Sequence, residues 1–152
     1  MKNVLELTIT FDVVDLPKGA ENDPTAIAKA LEVPVCAVLD VTLFRGEKGF
    51  VAVVKSAERR INFANIFKEL DCSWGAFPSK EELHKIGAKA HISPFALAGN
   101  PDVKIVVDAW VLMQQPKILV IPIGHGRAIQ TCVTDLMVGT AATVLGGISI
   151  AT

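Results

Sequence analysis

The stretch "VCAVLDVTLFRG", residues 35–46, decides how the rest of the chain is read. In an extended segment, successive side chains point to opposite faces. Val35, Ala37, Leu39, Val41 and Leu43 then line one face, and Cys36, Val38, Asp40, Thr42 and Phe44 the other. Such a run predicts a buried strand with one carboxylate, Asp40, in its middle. The turn "GEKG" and the apolar run "FVAVVKS" follow at once, and two strands around a short glycine-containing turn predict a hairpin.

Working outward, Leu5, Leu7, Ile9, Phe11 and Val13 alternate with polar residues and predict a half-buried strand. Asp23 before Pro24 predicts a capped helix over "PTAIAKAL". Asn62 is placed to cap a helix carrying Phe63, Ile66, Phe67 and Leu70 on one side, and Ser79 with Glu82 forms a capping box for "SKEELHKI". Residues 87–101, "GAKAHISPFALAGNP", are too irregular for helix or strand. Strands are expected over "VKIVVDAWVLM" and "KILVIPI", then a glycine turn "GHGR", a short helix around "VTDLMVG" and a closing strand "ATVLGGISI". The mixed order predicts an α+β fold with a mixed, largely antiparallel sheet and short flanking helices, as a single domain over residues 1–152.

Composition narrows the function. With 51% apolar and 20% charged residues the chain is expected to be globular. A formal net charge of −1 argues against a protein that coats DNA or RNA without regard to sequence. The N-terminus has no continuous apolar region of the signal-peptide kind, and no apolar run approaches the roughly 18–20 residues that span a bilayer. Cys36, Cys72 and Cys132 are dispersed, which suits a reducing compartment, so the expected location is cytoplasmic with no membrane partner.

No chemical motif stands out alone. His84, His91 and His125 lack metal-ligand spacing, and no metal or other cofactor is expected. There is no GxSxG elbow. The loop "IGHGRA", with Gly124, His125, Gly126 and Arg127, either presents backbone N–H groups to an anion or is a tight turn. Arg59 and Arg60 are either phosphate contacts or solvated, and "HISPFAL" sets His91 and Ser93 beside Pro94 in a loop of the kind that lines pockets.

Taken in order, these segments resemble the YbaK/EbsC family, the editing domain related to an insertion in bacterial prolyl-tRNA synthetases. The likeness runs from about residue 9 to 148. "PTAIAKALEVP" resembles the family's "TAEEAAEALGV"-type helix, and "VLDVTLFRGEKGFVAVVKSAERRINFANIFKEL" its strand, turn, strand and helix. "SKEELHKIGAKAHISPFAL" resembles its acidic helix and a loop ending in "SPFGL"; "VKIVVDAWVL" and "IGHGRAIQTCVTDL" resemble its later strand and glycine turn.

This resemblance implies a trans-acting aminoacyl-tRNA deacylase that clears a small mischarged amino acid without a metal. The partners implied are the aminoacyl-tRNA 3′ end and a small amino acid or analogue. If the chain is an active hydrolase of this type with altered specificity, Asp40, His91 and Ser93 are its expected catalytic residues, and Phe44, Ala90, Ile92, Pro94, Gly124, His125 and Gly126 its expected substrate pocket. Lys55, Arg59, Arg60 and Arg127 become tRNA contacts. Three positions depart from the family pattern. Asp40 stands where "VVKTLVFRG" has its substrate-holding lysine, Ala90 replaces the glycine of GxxxP, and Leu16 stands where some members carry histidine. Reversal of charge at residue 40 also motivates the alternative of a non-catalytic member binding an amino-acid-like ligand or a protein partner.

Overall fold

Pro34, just before the quoted stretch, starts it on a turn. In the computed structural model, which describes residues 11–86 and 93–152, Val35–Ala37 form one turn of 3-10 helix and the strand begins only at Leu39. The amides of Ala37 and Val38 bond back to the carbonyls of Pro34 and Val35, which closes that turn. The elements before it are β1 (Asp12–Asp15) and α1 (Pro24–Leu31). After it come β2 (Leu39–Gly46), β3 (Gly49–Ser56), β4 (Arg59–Ile61), α2 (Phe63–Glu69), β5 (Gly75–Ala76) and α3 (Lys80–Lys85). The rest are α4 (Pro94–Leu97), β6 (Val103–Asp108), α5 (Ala109–Met113), β7 (Leu119–Gly124), β8 (Arg127–Thr131), α6 (Val133–Thr140), β9 (Thr143–Leu145) and β10 (Ser149–Ala151).

Local capping chemistry sets several boundaries where the sequence predicts them. The Asp23 carboxylate accepts from the amides of Thr25 and Ala26, Asn62 accepts from Asn65, and Ser79 and Glu82 close a capping box. Elsewhere the expectations change. "VKIVVDAWVLM" is not one strand, because the Asp108 carboxylate accepts from the amide of Trp110 and starts α5. "ATVLGGISI" is two strands in different sheets, parted by Gly146 and Gly147. Of the loop over 87–101, Pro94–Leu97 forms a short helix, while residues 87–92 lie outside the described residues, as do Leu5, Leu7 and Ile9.

The largest sheet has the order β5-β2-β3-β6-β9. β2 runs antiparallel to β3 and β5, whereas β3, β6 and β9 are parallel. β1, β8 and β7 form a second, antiparallel sheet, and β4 pairs with β10. The architecture is α+β with a mixed sheet. One face of the large sheet buries Leu39, Leu43, Val54 and Val107 against Leu97, Leu119 and Leu136. Its other face buries Phe44, Val51, Val53 and Val106 against Ile66 and Ile148. A smaller cluster joins Leu16, Ile27, Val38, Val120 and Ala128, so α1 is fastened beside the start of β2.

No helix among the described residues is long and apolar enough to cross a membrane. Because Asp23 satisfies two orphan amides of α1, Asp23→Ala is expected to cost about 1 kcal/mol. Urea unfolding of the two proteins, followed by circular dichroism, measures that loss.

Candidate active site

The β2–β3 hairpin sets the geometry of Asp40. Its turn holds only Glu47 and Lys48, with Gly46 opposite Gly49, and counting back along both strands places Asp40 opposite Lys55. Directly opposed residues share a face, so the two side chains meet. The Lys55 Nζ donates to Asp40 Oδ2 at 3.0 Å, to the carbonyl of Arg59 at 2.6 Å and to that of Ser56 at 3.3 Å. An ammonium has three protons, and all three are used. Lys55 is 5% exposed, whereas the Asp40 side chain is 43% exposed. The cation is therefore the buried member of the pair, and the carboxylate faces outward.

Asp40 opens onto a cleft of about 390 Å³. Its floor is aliphatic, formed in part by Ile27, Val38, Val41 and Pro122. Glu21 and Asn22 stand on its rim, and among the described residues no cation lines it. Asp40 Oδ1 is shielded from solvent and has no hydrogen-bond partner among the described residues. Burial pushes the Asp40 carboxyl above its ordinary value of 3.8, with the Lys55 ammonium and its hydrogen bond pulling the other way. The hairpin joining β7 to β8 borders the same cleft. A Cβ on Gly126 would lie 3.4 Å from Glu21 Oε1, and the carbonyl of Gly126 accepts from Leu16 at 2.7 Å.

A family model for the aminoacyl-tRNA editing domain matches residues 20–137. The chain belongs to that family. The editing domain has the fold seen in the crystal structure of a candidate trans-editing enzyme for prolyl tRNA synthetase, with 19% identity, 90% of this chain and 85% of that one covered, and a TM-score of 0.76. It also superposes on a crystal structure of a hypothetical protein with 18% identity, 93% and 92% coverage, and a TM-score of 0.73. No curated protein sequence matches the chain.

Within this editing domain the expected site residues separate. Gly124, His125 and Gly126 do not line the Asp40 cleft, though Gly126 approaches Glu21 at it; they form a turn whose central residues His125 and Gly126 have φ of 57° and 69°. Two positive φ values are the mark of a tight hairpin turn that follows the twist of its strands. Ser93 and Pro94 open α4, whose Leu97 packs on the face of the sheet opposite Phe44. His91, Ala90 and Ile92 lie outside the described residues. Phe44 is buried, four residues beyond Asp40, and lines a separate aromatic pocket instead of the cleft.

The expected tRNA contacts also divide. Lys55 has no free donor, its three protons going to Asp40, Ser56 and Arg59. Arg59 is committed to the fold as well: its Nε donates to Ser149 Oγ at 2.8 Å, its Nη2 to the Ser149 carbonyl at 2.9 Å, and its guanidinium lies 4.3 Å above the Trp110 ring. Ser149 Oγ donates in turn to the buried Asp108 carboxylate. Arg60 and Arg127 are exposed. Glu21 and Asn22 were not anticipated, because nothing in a turn-rich loop signals which distant strand it will border. The Asp40–Lys55 contact did have a signal in the two-residue turn, since turn length fixes register.

Asp40→Ala leaves a buried ammonium one acceptor short and is expected to cost about 1.5–3 kcal/mol. The folded protein holds the Asp40 proton more tightly than the unfolded chain does. Its stability relative to Asp40→Asn therefore falls as pH rises from about 4 through the raised carboxyl value, and levels above it. Urea titrations of both proteins across that window read the trend. In Lys55→Met the Asp40 carboxyl should titrate higher still, followed by its carbon NMR shift, because the cation that lowers it has gone.

Proposed function

We propose that this chain is a trans-acting deacylase, which hydrolyses the ester joining a small, wrongly attached amino acid to the 3′ end of a tRNA. Membership of the editing family supplies the substrate class. The observation that carries the reading to a particular group is the Asp40 carboxylate, held by Lys55 through Oδ2 and lining an aliphatic cleft.

An ester needs a positioned water and stabilisation of the oxyanion that forms, and a metal is not required for either. In this proposal Asp40 takes a proton from water as the water oxygen adds to the ester carbonyl carbon. The ribose oxygen then leaves with a proton, giving free tRNA and the amino acid. A carboxyl raised by burial is a stronger base than an ordinary one, so the environment of Asp40 favours the role. The backbone amides of Gly124 and Gly126 are assigned to the oxyanion, with His125 beside them. His91 and Ser93 keep the assisting catalytic role, and Ala90, Ile92 and Pro94 the substrate-binding role, expected of them from the sequence. Arg60 and Arg127 contact the nucleic acid near its end, in the cytoplasm.

A second reading has one observation in its favour. Glu21 and Asp40 give the cleft two carboxylates and, among the described residues, no lining cation. Such a cleft suits an ammonium-bearing ligand held without hydrolysis.

Single-turnover deacylation of tRNAs carrying alanine, cysteine or serine separates the two. The deacylase reading expects hydrolysis of at least one substrate well above the buffer rate. Asp40→Ala should lower that rate by about 10²–10⁴-fold, the usual contribution of a positioned base. If wild type hydrolyses none of them yet binds the free amino acid, the chain is a binding protein.

A further inference from the structure

The aromatic pocket at the far end of β2 has no role in the chemistry above. It has a volume of about 240 Å³ and is lined by Phe44, Phe63, Phe67 and Phe77 with the backbone of Gly75 and Ala76. Phe44 meets Phe63 and Phe67 edge-on, with ring centroids 5.9 and 5.5 Å apart, and Phe77 meets Phe63 at 5.9 Å. A Cβ on Gly75 would lie 2.6 Å from the Phe67 ring, so the packing of that wall depends on a residue without a side chain. Phe44 is buried, but Phe77 is 71% exposed and the neighbouring Trp74 is 44% exposed. A ring cluster that only filled the core would cover those two. Here it ends in an open pocket whose lining carries no charged side chain, which fits a flat ring and offers nothing to bind a charged group.

The rim and the position narrow the class of ring. The Arg45 guanidinium lies 5.5 Å over the Trp74 ring while paired with Glu82, and Lys48 stands exposed at the β2–β3 turn near Asp71. Phe44 and Asp40 project from the same face of β2, four residues apart. At a rise of about 3.3 Å per residue, the two sites are about 13 Å apart. A stacked nucleic-acid strand advances about 3.4 Å per nucleotide, so about four such steps cover that distance. Among the described residues no strand pairs with the outer edge of β2 between Val38, bridged to Val120, and Arg45, paired with Ala76.

We propose that this pocket binds a nucleobase of the unpaired 3′ end, upstream of the terminal nucleotide, by stacking against Phe77 and Phe63. The identity of the nucleic acid rests on the deacylase reading; the affinity for a base does not. Stacking on an aromatic side chain tolerates any base, which suits an enzyme meeting an end sequence shared by many tRNAs.

The experiment is titration of the isotope-labelled protein with the unacylated tetranucleotide 5′-ACCA-3′, followed by amide NMR shifts. Binding should move the amides of Trp74, Gly75, Ala76 and Phe77. Phe77→Ala should weaken it about tenfold, in the range found for loss of one base–aromatic stack, and Phe77→Trp should restore it. A tetranucleotide with abasic positions that binds equally well overturns the proposal, as does an RNA that leaves those amides unmoved. Shifts there with N-acetyl-leucine amide but not with RNA overturn it in favour of a protein partner. RNA binding at the pocket in a protein that hydrolyses no ester removes the deacylase reading and leaves this one standing. Hydrolysis with no response at the pocket removes this one alone.

Discussion

A buried ammonium must find an acceptor for each of its protons, and around Lys55 that demand organises one end of the sheet. One acceptor comes from the neighbouring strand through Asp40, and two come from the carbonyls of Ser56 and Arg59. Holding those carbonyls shapes the turn between β3 and β4, where the amide of Ala57 also bonds to the carbonyl of Val38 at 2.8 Å. The turn in turn aims the Arg59 side chain at Ser149 and Trp110. Through Ser149 the network reaches Asp108 on the central strand β6. The last strand of the chain is thereby tied to the strand that carries the cleft.

The same arrangement accounts for the carboxylate in the middle of β2. The family resemblance places a lysine at residue 40, and here the cation sits one strand away, directly opposite. The pair has both charges, but the buried member is the lysine and the member at the cleft is the aspartate. Electrostatically that inverts the cleft. It offers an incoming group the carboxylates of Asp40 and Glu21, where a lysine would have offered proton donors. A base for water and an anchor for an ammonium are both within the chemistry of such a site, and a phosphate anchor is not.

Alternation along β2 also separates the functions of its faces. Leu39 and Leu43 belong to one hydrophobic core, while Asp40 projects from the other face to meet Lys55 and Phe44 from that face to line the aromatic pocket; Leu39 and Val41 join Asp40 in lining the cleft. A slip of one residue in the β2–β3 register would exchange these sets, burying Asp40 in the leucine-rich core. The short turn at Glu47 and Lys48 guards against that slip, because its length leaves one pairing.

Much of the fold was legible because its signals are local. The caps at Asp23, Asn62 and Ser79, the β2–β3 hairpin and the α+β class all follow from residues a few positions apart. The strand expected over 35–46 and that expected over 103–113 were misjudged for the same kind of reason. Pro34 and Asp108 favour turns and caps, and a count of apolar residues does not weigh them. What the sequence by itself determined was the family, the helix starts at Asp23, Asn62 and Ser79, and the β2–β3 hairpin. Only the tertiary structure decided that Lys55 is the buried partner, that Arg59 is spent on Ser149, and that Glu21 lines the same cleft as Asp40. Those facts depend on which surfaces meet after residues tens of positions apart are packed together, and burial is a property of that packing, not of any one segment.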